Sequence, residues 1–235
     1  NLNRSYFGNA PSSLTLGGSG AAGATLNNNG YYIAPMSGDL VLGKSSGTTG
    51  TFNLNSGGLY VKDDTVVGDS GTGIFNQSGG FHTLDNKLII GRIDGSSGTY
   101  NLNNGILNVG DRTIVGEYGT GIFNQSGGTQ TVHYELIIGR FDGSSGTLNI
   151  TGGKIVSEEI ATVGSFAGSS GTVLVDASTW TTAGLLSIGD AGTGAVTVQN
   201  GGVLSAGSIV IGSNGSLTID PEVVTVLGDF TLRPN

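Results

Sequence analysis

An all-β chain, folded as a three-sided parallel β-solenoid of about nine coils with roughly 23–25 residues per coil, is what this sequence predicts. Three observations carry the prediction. LIIGRIDGSSGT at 88–99 returns as LIIGRFDGSSGT at 136–147, with only Ile93 against Phe141 changed. GTGIFNQSGG at 71–80 returns unchanged at 119–128, at the same offset. A short strand ending in glycine recurs more often still, from LVLG at 40 to IVIG at 209. Its glycines are Gly43, Gly68, Gly91, Gly116, Gly139, Gly164, Gly189 and Gly212. Self-similarity at such periods marks stacked units. Long and short spacings alternate over the first five of these glycines, so the larger period is a doublet, one long unit plus one short one.

Each unit divides into three strands. The first is the glycine-ended one: LVLG, TVVG, LIIG, TIVG and their successors. A loop follows, long in RIDGSSG and RFDGSSG, short in DSGTG and EYGTG. The second strand, such as TFNLN or TYNLN, alternates apolar and polar residues. That puts Phe52 and Leu54, or Tyr100 and Leu102, on one face, and Asn53 or Asn101 on the other. A GG or NG turn leads to a looser third strand, LYVK, ILNV or KIVS. Strands of four to six residues bounded by glycine fit β structure, and no segment carries a helical period. One unit cannot bury its apolar face alone, whereas stacked units share a core. At ~4.8 Å per coil, nine coils extend about 43 Å. A propeller blade needs about 40–45 residues, and the halves of the doublet are too alike to form one.

The solenoid is expected to span 14–235. Residues 1–13, NLNRSYFGNAPSS, lack the glycine-ended strand and read as an N-terminal arm.

Aligned units turn positions into columns. After the first-strand glycine come Lys44, Asp69, Arg92, Glu117 and Arg140, five charges alternating in sign. They are expected to form an electrostatic ladder that opposes a slip by one coil. Asn53, Asn76, Asn101, Asn124 and Asn149 form a second column, expected to bond amide to amide. Ile93, Tyr118, Phe141 and Phe166 form a third, expected to pack into a corner, the alternative being an exposed apolar ridge for a partner.

Chemistry is thinly represented. His82 and His133 belong to no triad and are expected at the surface or an edge. The DGSSG loops bring one carboxylate each, short of the six to eight oxygens calcium takes, and read as turns. Asp63 with Asp64, and Glu158 with Glu159, read as solvated corner residues. No catalytic residue, cofactor or metal is expected. Nine Lys and Arg against seventeen Asp and Glu disfavour nucleic acid. No apolar run reaches the roughly 18 residues of a membrane helix. Cysteine is absent, so no disulfide framework exists.

The pattern in TVVGDSGTGIFNQSGG and LSIGDAGTGAVTVQNGG resembles the repeats of type V secretion passengers and of surface proteins carrying the PEP-CTERM sorting signal, over about residues 40 to 220. The resemblance implies a secreted or cell-surface β-solenoid without enzyme activity. The functional expectation is a structural subunit of a fibre, sheath or matrix, built by head-to-tail stacking. The alternative is an adhesin-like module that recognises glycan or a host surface. Tyr6 and Phe7 in the arm, Tyr31 and Tyr32 in the first unit, and Phe230 and Leu232 in the last are the expected self-association residues.

Overall fold

The computed structural model describes residues 12–18, 23–220 and 223–233. Most of the expected arm, with Tyr6 and Phe7, lies outside the described residues. Everything described is strand or turn, and every strand pairing is parallel, joining each coil to the next. The chain is a parallel β-solenoid of about eight turns, in line with the nine expected.

Three sheets run along the axis. The first contains Leu14–Leu16, Leu40–Leu42, Thr65–Val67, Leu88–Ile90, Arg112–Val115, Glu135–Ile138 and Ile160–Val163, and ends with Phe230–Leu232. The second contains Thr72–Gln77, Ser97–Leu102, Thr120–Gln125, Ser145–Ile150, Ser170–Asp176, Thr193–Gln199 and Gly215–Ile219. The third contains Phe81–Leu84, Ile106–Val109, Thr129–Val132, Lys154–Ser157 and Val223–Val226. Longer strands bend from one sheet into the next. Gly23–Met36 and Thr49–Val61 pass from the second to the third, and Thr179–Ile188 and Val203–Ile211 from the third to the first.

The glycine that ends each first-sheet strand has two jobs. Gly91 sits at φ +74°, and a Cβ there would lie 2.3 Å from the Thr120 carbonyl oxygen of the next coil. The coil turns left-handed at that point while the next strand presses against it. No other residue meets both demands.

Alternation sends every second side chain inward, giving vertical columns of core residues. Phe52, Phe75, Tyr100 and Phe123 stack ring on ring, with centroids 5.1, 4.6 and 5.1 Å apart. Leu40, Leu88, Leu136 and Leu186 fill the facing column, and Leu59, Leu107, Ile155, Trp180 and Leu204 a third. Burial on this scale, at ~25 cal/mol per Å² of apolar surface, drives the stacking.

Candidate functional site

The exterior is organised by the same columns. In the second sheet, Asn27, Asn53, Asn76, Asn101, Asn124 and Asn149 stand in register, and from Asn53 on each amide Nδ2 donates to the Oδ1 of the asparagine one coil before it. The distances are 2.6, 2.8, 2.8, 2.9 and 2.9 Å. The run stops at Leu174, the next residue in the column.

The charge column divides into two groups. Lys44 Nζ lies 2.8 Å from Asp69 Oδ2, and Arg92 Nε lies 2.9 Å from Asp69 Oδ1. The Arg92 contact is ionic, because Oδ1 has no partner of hydrogen-bonding geometry. The Asp69 side chain is only 2% exposed between its two cations. Glu117 pairs instead with Arg140, at 2.8 Å. The column is thus a triplet followed by a pair. The Arg140 guanidinium also lies over the Phe141 ring, 4.5 Å from its centroid.

The third column departs from expectation. Tyr118, Phe141 and Phe166 do not pack into a corner. Their rings stack outside the solenoid, 4.5 and 5.2 Å apart, with Ile93, Tyr118 and Phe166 exposed. In the long loops, Ser96, Ser144 and Ser169 donate their N–H groups to the carbonyls of Ile93, Phe141 and Phe166, three residues back, in tight turns. The rings find each other one coil apart.

His82 also departs from expectation. It is fully buried in the third sheet, in line with Leu59 and Leu107. Strict alternation in FHTL forces it inward with Leu84, while Phe81 and Thr83 face out. Its Nδ1 lies 3.0 Å from the Tyr100 hydroxyl and its Nε2 3.2 Å from Thr65 Oγ1. Tyr100 donates to Gln77 Oε1 at 2.7 Å, and Gln77 Nε2 donates to the Ile106 carbonyl at 2.9 Å. Tyr100 therefore accepts from Nδ1–H, and the imidazole is neutral. Desolvation pushes the His82 pKa down to about 3, and burial pushes the Tyr100 hydroxyl well up. One doublet later, Thr113, Gln125 and Gln130 occupy the positions of Thr65, Gln77 and His82, and Gln130 Nε2 donates to Thr113 Oγ1 at 3.0 Å. Sequence reading missed both polar sets. Column alignment of the third strand would have shown them.

His133 is exposed and pairs with Glu158 at 2.7 Å. Carboxylate oxygens of Asp39, Asp63 and Asp64 gather within 4.8 Å of one another at the corner leading into the first sheet. Two of them serve the backbone there: Asp39 accepts from the Asp64 N–H at 3.1 Å and Asp64 from the Lys87 N–H at 3.0 Å, while Asp63 accepts from Asn86 Nδ2 at 3.1 Å. Partial burial raises the pKa of Asp64. Arg112 bridges Asp111 and Glu135, with its guanidinium over the Tyr134 ring. Glu159 is exposed.

Of the expected self-association residues, Tyr31 takes part in a local turn, donating its N–H to Asn28 Oδ1 at 3.0 Å. Tyr32 points outward and meets Phe81 across Gly58, with ring centroids 5.8 Å apart. Gly58 has no room for a side chain between those rings. Phe230 and Leu232 are 52% and 66% exposed on the last described coil. No described helix is long and apolar enough to cross a membrane. Compared with protein-family models, curated proteins and solved structures, the chain matches none.

Proposed function

We propose that this chain is a secreted, non-catalytic structural protein, the subunit of a fibre, sheath or surface matrix in which solenoids stack head to tail. The repeat pattern resembling type V secretion and PEP-CTERM-associated proteins supports the extracellular assignment. One observation carries the assembly. The last described coil places Leu217, Val224, Val226 and Leu232 in the columns that the first fills with Leu26, Ile33, Met36 and Leu16. Stacking one end on the other would continue all three sheets with apolar on apolar. Contacts between two different ends build open filaments.

The test compares the intact chain with one starting at Ser12, by light scattering and negative-stain microscopy. Filaments about one solenoid wide are expected from the intact chain. Monomers at every concentration overturn the proposal. Filaments from both forms remove the arm, with Tyr6 and Phe7, from the contact.

The exposed Tyr118–Phe141–Phe166 stack favours a second reading, an adhesin that binds glycan. Stacking covers both faces of the Phe141 ring, while Tyr118 and Phe166 stay exposed at the two ends of the stack. Binding on a glycan array, lost on Phe141→Ala, would restore this reading.

A further inference from the structure

The outward face of the second sheet has a texture that axial stacking does not use. Its strands show three outward columns, and the middle one reads Thr51, Ile74, Thr99, Ile122, Thr147 and Thr172. The column before it reads Thr49, Thr72, Ser97, Thr120 and Ser145 in the same coils. The larger residues coincide: Thr72 with Ile74, and Thr120 with Ile122. Smaller ones fill the coil between, Ser97 with Thr99. The face is therefore corrugated, with one ridge every second coil, about 9.6 Å apart. The third column is the asparagine ladder. Each of its amides keeps one N–H after bonding its neighbour. No outward residue in these three columns is charged, although the chain carries nine basic and seventeen acidic residues.

We propose that this face binds the same face of a second copy, side by side and antiparallel. A flat partner would touch only the ridges, whereas a second copy brings matching furrows. Place a two-fold axis along the strand direction, midway between Ser97–Leu102 and Thr120–Gln125, so that coil order reverses and each column is kept. Ile122 then meets Thr99 of the other copy, and Ile74 meets its Thr147. The same operation brings Asn101 opposite Asn124 and Asn76 opposite Asn149, so the spare amide groups bond across the junction as in a polar zipper. A parallel two-fold would set ridge on ridge. Net charge of −8 repels a second copy in most orientations, and this approach presses no charged side chain of the three columns against another. From Thr49 to Thr193 the face measures about 29 by 13 Å. With its margins the pair buries roughly 1,000 Å², at the low end for specific contacts. The pairing is accordingly weak in solution and gains strength by repetition where copies are already aligned.

This contact does not depend on head-to-tail stacking, and the experiment separates the two. The chain has no cysteine. Ile74→Cys and Thr147→Cys are made separately, mixed at up to about 1 mM, and oxidised with copper phenanthroline. The antiparallel pair sets position 74 of one copy against 147 of the other, while like positions stand about 14 Å apart. A disulfide-linked dimer is expected from the mixture and not from either variant alone. No dimer from the mixture, or equal yields from the single variants, overturns the proposal. Solution scattering of the unmodified chain provides the second readout. Lateral pairs thicken the cross-section and axial contacts lengthen the particle. Thr99→Lys, which leaves the core untouched, is expected to abolish the thickening alone. Thickening that survives Thr99→Lys also overturns the assignment of this face.

Discussion

Inside the solenoid, His82 Nδ1 lies 3.0 Å from the hydroxyl of Tyr100, and Phe75 stacks flat against both rings. An imidazole so enclosed resists protonation. Above its ordinary value of 6.5, folded and unfolded chains both hold it neutral. Below that, the unfolded chain takes up a proton that the folded chain, with a pKa of about 3, refuses. Stability is lost as pH falls from about 6.5 toward 3, and this residue accounts for about 2 kcal/mol by pH 5. His82→Gln introduces the residue found one doublet later at 130. Urea denaturation at pH 7 and pH 5 is expected to show a shallower loss in that variant. Parallel losses would rule out His82 as the source.

Two glycines separate backbone strain from coil contact. Gly91 and Gly95 share the same left-handed φ, +74° and +75°, but only Gly91 has the next coil's carbonyl against it. Gly95→Ala is expected to cost about 1 kcal/mol, the strain alone. Gly91→Ala must also push Thr120 away and is expected to cost at least about 3 kcal/mol. Chemical denaturation of the two variants measures the difference. Equal costs would mean that the close approach has no energetic weight.

Asp69 depends on its cations. Arg92→Glu removes one of them and places a carboxylate between Asp69 and Glu117. A loss of about 2 kcal/mol is expected, between the values for exposed and buried pairs. Thermal melts at low salt should show the variant below the parent, with the gap narrowing at high salt. Coincident melts at low salt would strip the column of energetic importance.

The asparagine ladder predicts a response confined to its own column. Asn101 donates to Asn76 and accepts from Asn124, so Asn101→Ala breaks two hydrogen bonds on a half-buried face. A cost of about 1 kcal/mol is expected. Asn103, exposed two residues further on, is expected to tolerate alanine within about 0.5 kcal/mol. Losses of equal size at the two positions would count against amide-to-amide bonding as the cause.

Periodicity makes most of this fold readable. The glycine column, the alternation of Phe52 with Asn53 and the recurring doublet are all regularities of spacing, and parallel stacking converts spacing directly into neighbours. Depth is not a spacing. FHTL reveals its meaning only beside LYVK and ILNV, where His82 falls in line with Leu59 and Leu107. The alternating charges are equally visible, but the choice of Arg92 for Asp69 rather than Glu117 is made by side-chain rotamers. The outward aromatic stack is not legible in the same way, because its rings are sheltered by one another, with no core above them.

The doublet also sets the unit in which such a chain can change length. Loss of residues 88–135 joins Lys87 to Leu136, and the twelve residues that follow differ from the originals at a single position. Arg140 would then succeed Asp69 as Arg92 does now, Asn149 would succeed Asn76, and charge order and loop order would survive. Tyr100 goes with the excised segment, so His82 would lose its partner. Excision of a single coil instead brings like charges together, Lys44 beside Arg92 or Asp69 beside Glu117. One whole doublet is therefore the length step that keeps both exterior columns in order, and a single coil is the step that breaks the charge order.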